Sequence, residues 1–432
     1  MKKTILLLTC VLVSDALYGG RSYAGEILLN EVGRWNGEEH GLASGVTAIS
    51  LLPDSQLLAG FYGDNDDGCL VWLDVSDAAN MAEVARYQLP GKRPTKIVWQ
   101  QGIAYLVCGS GGFLIVRAAE PDSMAALGAV DSFFALDMAV LDTVVYIGGD
   151  SGILAVNISD VDSPVVAYRN SAPRSASAIT VLDTLLFVGS AGRGFEMFSV
   201  FSPLEPASIS RLATTYDPVS ISVTGSSVYL GLELGVLPSL YTVDVSDLRE
   251  PKLLGSYPDA AIPDIHQIND MVISGSELYA ATRSTGVMVF DVSDATAISR
   301  IAYAPGGGQC WDIAISDRYI FEANGEPYSV RVFERPVVEG AANLPIATNS
   351  NSGSMFDCRS GANKTVFLSY AEGTQIDIEI VSPAGRRCFS RSVGQFDNGK
   401  ARLELGSLAA GVYRLVAVDE HGRMQTSKVV LQ

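Results

Sequence analysis

The chain repeats itself. A run reading Gly68-Cys69-Leu70-Val71-Trp72-Leu73-Asp74-Val75-Ser76-Asp77 returns as Ser239-Leu240-Tyr241-Thr242-Val243-Asp244-Val245-Ser246-Asp247 and as Gly286-Val287-Met288-Val289-Phe290-Asp291-Val292-Ser293-Asp294. Weaker copies begin at Gly112, Gly152, Gly194 and Tyr328. Aligned on Asp74, Arg117, Asn157, Ser199, Asp244, Asp291 and Val332, the copies recur about every 40 to 47 residues, the spacing of a propeller blade. A unit of that size cannot bury its apolar face alone, so successive copies must stack.

Each copy is preceded by two more strand-like runs. Asp137-Met138-Ala139-Val140 and Asp312-Ile313-Ala314-Ile315 typify the innermost, and Val145-Tyr146-Ile147-Gly148 and Leu278-Tyr279-Ala280-Ala281 the second. A Gly-rich hairpin such as Gly149-Asp150-Ser151-Gly152 separates the second run from the third, and a fourth run such as Lys252 to Tyr257 follows the Asp-Val-Ser-Asp element. Four short antiparallel strands per repeat give an all-β chain whose residues 25–335 form a seven-bladed β-propeller. The seventh unit runs into Pro336 without a fourth strand. Residues 27–35 match the fourth-strand pattern and are expected to close that last blade, removing the free edges of an open array.

These residues carry a family resemblance. The Leu70 to Asp77 run and its copies resemble the Leu-Val-Ile-Val-Asp-Val-Ser-Asp-Pro signature of LVIVD-repeat β-propellers. The resemblance implies the fold and a secreted or cell-surface setting, and it names no ligand.

The ends agree with that setting. Met1-Lys2-Lys3, an apolar run from Ile5 to Val13 and Ser22-Tyr23-Ala24 read as a secretory signal peptide over residues 1–24. That run is too short to span a bilayer, which needs about 20 apolar residues, so the mature chain is expected to carry no transmembrane segment. Thr9 before Cys10, and the apolar run continuing past it, argue against lipid attachment. Residues 336–360 are rich in Ala, Asn, Ser, Gly and Pro and read as a linker. Residues 361–432 hold five strand-like runs and read as a small C-terminal β-sandwich. This segment is similar to type A C-terminal sorting domains of the type IX secretion system, through Ser382-Pro383-Ala384-Gly385, Gly411-Val412-Tyr413, His421-Gly422 and Lys428. The similarity implies secretion machinery as a partner and delivery to the medium or the outer-membrane surface of a Gram-negative bacterium.

Charge narrows the partners. With 30 Lys and Arg against 48 Asp and Glu, the formal charge is -18, which disfavours nucleic acid and anionic membranes. The tail is near neutral and the leader net positive, so residues 25–335 carry about -21, favouring cations or basic protein surfaces. Five cysteines remain after the leader; Cys358 and Cys388 share a region and can pair on export, while Cys69, Cys108 and Cys310 read as buried small apolar groups.

Two sets of residues are candidates for chemistry. Asp64, Asp66 and Asp67 precede Gly68 in a blade hairpin and offer hard oxygen ligands to Ca²⁺, against the alternative of an acidic turn. At the start of the innermost strands the aligned residues are Ala48, Lys96, Asp137, Ala178, Ser220, Asp270 and Asp312, so three acids and a lysine ring one channel mouth with His266 nearby. They either bind a ligand or hydrogen-bond the backbone of the neighbouring blade. Gly149-Asp150-Ser151-Gly152 spells a serine-protease motif in a position every blade uses as a turn. The expected function is a binding or scaffold module for a protein or glycan. Its competitor is a secreted glycan-active hydrolase or lyase with its site at the channel mouth.

Overall fold

The computed structural model describes residues 26–42, 45–63, 67–131, 133–233, 239–257, 267–283, 285–304, 309–325 and 328–336, and the backbone of seven strands between residues 356 and 431. The chain divides into two units, Met1–Ile346 and Ala347–Gln432.

The first unit is a seven-bladed β-propeller. Seven antiparallel sheets follow one another along the chain, with innermost strands Val46–Leu52, Lys96–Gln100, Ala135–Leu141, Ala176–Leu182, Pro218–Thr224, Ile268–Ser274 and Cys310–Ile315. These open blades one to seven. Described helix is confined to two short 3-10 turns, Glu38–His40 and Pro121–Ser123. Burial falls from the middle of each blade outward. The second strand Val144–Gly149 is buried at every position, and so is Leu185–Ser190. The outer strand Val165–Asn170 alternates exposed and half-buried residues. Second strands are covered on both faces by neighbouring blades, so they read as unbroken apolar runs, while outer strands keep the period-two pattern of a half-solvated sheet.

The core is correspondingly split into seven wedges, one at each joint. Val145, Ile147 and Val156 of blade three pack on Tyr105, Val107 and Ile115 of blade two, and Leu186, Val188 and Phe198 of blade four pack on Tyr146 and Ala155 of blade three. The three described thiols sit in these wedges. Burial pushes Cys69 up to about 11 and Cys108 up to about 12, and Cys310 well above the usual thiol value, so none is a nucleophile near neutral pH.

The repeat's signature is turn chemistry. Asp74, Asp244 and Asp291 each end a third strand and accept, through Oδ1, the N–H of the serine two residues on, at 2.9, 2.8 and 2.9 Å. Asp77, Asp247 and Asp294 then repeat the device on Ala79, Arg249 and Thr296. Two successive Asx turns thus swing the chain from the third strand into the fourth. Asn157 does the same for Ser159 at 2.9 Å, so the position needs an acceptor and not a charge. In blade seven the strand ends at Glu334, opposite Tyr319, which places the seventh copy two residues beyond Val332. The two-residue shift preserves which side chains face each joint, and the sequence pattern is blind to it.

Residues 27–35 do not form one strand. Ile27–Leu28 (β1) lies parallel to Ser299–Tyr303 as a fifth strand on blade six, while Glu31–Asn36 (β2) pairs antiparallel with Ser329–Glu334 as the fourth strand of blade seven. The chain steps between blades at Leu29, which is buried, and at Asn30, whose carbonyl accepts the Glu334 N–H. Gly33 marks a close approach, because a Cβ there would stand 1.7 Å from the Ala78 carbonyl oxygen of blade one.

The second unit contains two sheets. Phe356–Gly361, Thr365–Tyr370 and Lys400–Glu404 form one, and Arg387–Val393, Ile376–Val381, Gly411–Asp419 and Met424–Leu431 the other. The strand Phe356–Gly361 begins inside the stretch read as linker, where Ser and Gly on either side mask a short run able to pair with Thr365–Tyr370. The proposed Cys358–Cys388 pairing concerns side chains outside those described.

Candidate functional site at the channel mouth

Six of the seven innermost strands carry a register shift one turn of the pleat from their start, between Val46 and Ala48, Ala135 and Asp137, Ala176 and Ala178, Pro218 and Ser220, Ile268 and Asp270, and Cys310 and Asp312. Such a bulge leaves one residue unpaired, sharpens the twist and re-aims the next side chain. The aligned residues 137, 270 and 312 are those re-aimed, and each is an aspartate.

Lys96 begins the inner strand of blade two. Its Nζ lies 2.8 Å from Asp270 Oδ1 of blade six and 3.1 Å from Asp312 Oδ1 of blade seven, so one ammonium bridges non-neighbouring blades across the channel. A quarter of the lysine side chain remains exposed, whereas Asp312 is 3% exposed. Asp312 is further engaged: Oδ2 accepts the Ile49 N–H of blade one at 2.8 Å and Oδ1 the N–H of Ile313 at 3.1 Å. Asp137 repeats that arrangement, with Oδ2 on the Ile179 N–H of blade four at 2.7 Å and Oδ1 on the Met138 N–H at 2.8 Å. Ser220 ties blade five to blade six by donating to the Ile268 carbonyl at 2.7 Å. The bulge frees an N–H just after itself, and the preceding blade's aspartate satisfies it, which is what a buried donor requires.

The electrostatics follow from crowding three acids around one base. Burial pushes Asp312 up to about 8 and Asp137 up to about 6, with the Lys96 charge pulling the other way. Burial alone would lower the Lys96 ammonium, but the charges of Asp270, Asp312 and Asp137 overcome it and hold the lysine well above its usual value. Lys96 is therefore a permanent cation in the channel. Among the described residues, no group of three His, Cys, Asp or Glu is placed to hold a metal ion. The arrangement neutralises charge and staples blades; it presents paired acceptors already in use.

The remaining candidates lie elsewhere. Asp64, Asp66 and His266 fall outside the described residues. Asp67 is exposed, and its Oδ1 accepts the Gly91 N–H at 2.8 Å, bracing the connection from blade one to blade two. Ser151 donates to Asp150 at 3.0 Å within a hairpin whose Gly152 has φ 103°, a conformation that glycine alone adopts readily. Gly411, Val412 and Tyr413 open the strand Gly411–Asp419, and Lys428 stands opposite Arg414 on Met424–Leu431.

Three ion-pair networks are invisible in the sequence. Arg300 holds Glu26 through two bonds of 3.0 Å, and Arg331 holds both Glu31, at 2.8 Å, and the fully buried Glu322, at 3.1 Å. Arg335 bonds Tyr279 Oη at 2.8 Å and Glu277 at 3.0 Å, with the tyrosine hydroxyl donating to the same glutamate. No local pattern reveals them, because Glu26, just before β1, and Glu31, in β2, lie 274 and 300 residues from Arg300 and Arg331.

No family model matches the chain, and no curated protein matches it. Solved structures do. A chain in the crystal structure of the Mitotic Checkpoint Complex aligns with a TM-score of 0.55 at 8% identity, over 73% of this chain and 95% of that one. Sqt1 of Saccharomyces cerevisiae aligns with a TM-score of 0.53 at 10% identity, over 72% of this chain and all of its own. No described helix is long and apolar enough to cross a membrane. At these identities the likeness concerns architecture, and the architecture is that of a β-propeller.

Proposed function

We propose that this protein is an exported binding or scaffold propeller at the surface of a Gram-negative bacterium, delivered through its C-terminal tail by a type IX secretion machinery. The observation that carries the binding reading is the use made of the channel aspartates. Asp137 and Asp312 accept backbone N–H groups, and Asp270 and Asp312 share the Lys96 ammonium, so the residues an enzyme would need for acid and base work are spent on holding the ring. A rigid ring offers broad faces for a protein or glycan. One of the architectural relatives is itself a component of a protein complex.

The export reading rests on the residues of the leader, on the LVIVD-like repeat, and on Gly411, Val412, Tyr413 and Lys428 in the tail. Cutting the chain near Gly353 separates the two parts. The expected product is a folded propeller that reaches the periplasm and stops there, seen as loss of surface labelling on intact cells. Equal surface or medium levels with and without residues 354–432 would make the tail a structural domain and remove the sorting role.

A further inference from the structure

The seam along the outer edges of blades six and seven, with blade one against its far side, is built differently from the rest. Elsewhere each fourth strand is covalently continuous with its own blade. Here β1 and β2 arrive from the far end of the sequence and run on into blade one. Their contacts are those of a recognised peptide. Leu29 donates its N–H to the Tyr303 carbonyl at 2.8 Å and buries its side chain among Tyr279, Val287 and Phe333. Trp35 is 3% exposed and packs edge-on against Phe61. Arg300 and Arg331, both almost wholly buried, pair with carboxylates five positions apart, Glu26 and Glu31, and Arg331 also holds Glu322 of its own blade. Arg300 is braced over the Tyr303 ring at 5.3 Å, and Arg331 over Phe333 at 4.7 Å.

We propose that this seam is a strand-binding site for an acidic-aliphatic segment, filled in cis by residues 26–36 and able to take the same segment from a second copy of this chain. Added-strand recognition draws affinity from the backbone ladder and selectivity from side-chain pockets. The pockets here read a carboxylate, a leucine three residues on, a second carboxylate, a residue without a side chain at Gly33, and a tryptophan. The first carboxylate is the discriminating element, because an arginine in its place would set two cations against each other where a buried, doubly bonded charge pair stood.

Exchange on the folded chain tests this. A protease site placed after Gly41, where an added side chain meets open space, is cut once the full chain has folded, so that the arm is held by its non-covalent contacts alone. The nicked protein is then incubated with fluorescent peptide 26–36. The label is expected to enter the protein as the arm leaves, and a Glu26→Arg peptide to compete roughly thirtyfold or more less well. In a nicked Arg300→Glu protein the preference should invert in favour of the Glu26→Arg peptide. Failure of the label to enter, or equal uptake of the native, reversed and scrambled peptides, overturns the proposal.

Discussion

The propeller uses aspartate in two places, and the two uses are opposites. In the turns that leave the third strands, Asp74, Asp77 and Asp294 keep their carboxyls close to solvent; backbone and side-chain hydrogen bonds, led by Ser76 at Asp74, Asn80 at Asp77 and Thr296 at Asp294, hold them below the usual value. At the channel mouth, Asp137 and Asp312 make comparable bonds to backbone N–H groups, yet burial carries them the other way. The difference teaches that the bond does the structural work in both settings, while solvent decides whether the charge helps or costs. Asn157 fills a turn position without a charge. At the channel mouth the Lys96 charge opposes what burial does to the acids around it.

The comparison can be broken at its strongest point first. Replacing Lys96 with Met removes the ammonium that Asp270 and Asp312 share, and urea denaturation should register a loss of about 1 to 3 kcal/mol, the cost of leaving buried polar groups without their donor. Adding Asp270→Asn and Asp312→Asn to that chain should recover a large part. If the single change is silent, the channel acids are not held by the lysine.

The next effect is on pH dependence. With folded values of about 6 and 8, Asp137 and Asp312 keep protons that the unfolded chain has released above its ordinary carboxylate value, about 3.9. Where the folded state binds more protons, stability falls as pH rises, so these groups favour the fold below the unfolded value and lose that contribution between about pH 4 and 8. The turn acids run the other way: their contribution is present above the unfolded value and is lost as pH falls through the lowered one. Melting temperatures from pH 5 to 9 should therefore decline with pH, and Asp312→Asn should flatten the decline. A profile unchanged by that substitution would place the proton elsewhere.

The smallest effect belongs to a single turn. Asp244→Ala removes one acceptor and should cost about 1 kcal/mol, whereas Asp244→Asn should stay within about 0.5 kcal/mol. An asparagine as damaging as the alanine would mean that the charge, and not the acceptor, is what the repeat preserves.

The same contrast decides what the sequence could reveal. A turn that recurs in several blades writes itself into the chain as Asp-Val-Ser-Asp, and with it the blade number and the all-β class become legible. The channel aspartates were traceable too, since alignment of the repeats brings Lys96, Asp137, Asp270 and Asp312 to one level. Their partners were not. Which amide faces Asp312 depends on bulges, and Asp270 meeting Lys96 depends on the width of the closed ring; neither has a one-dimensional pattern. The split of residues 27–35 between two blades escaped for a related reason. No glycine or proline breaks the chain from Ile27 to Val32, and only the step between sheets separates β1 from β2.

That step also sets a clock. The seam joins residues about 300 apart, and synthesis at roughly 5 to 20 residues per second leaves the arm without its partners for about 15 to 60 seconds. A bare strand of Ile27, Leu28, Leu29 and Trp35 waiting that long invites pairing with any passing edge. Glu26, Glu31 and Arg34 are spaced through it. The charges that later seat the arm on Arg300 and Arg331 thus serve first to keep it solvated, and the ring is closed by a segment made about 300 residues before the strand it completes.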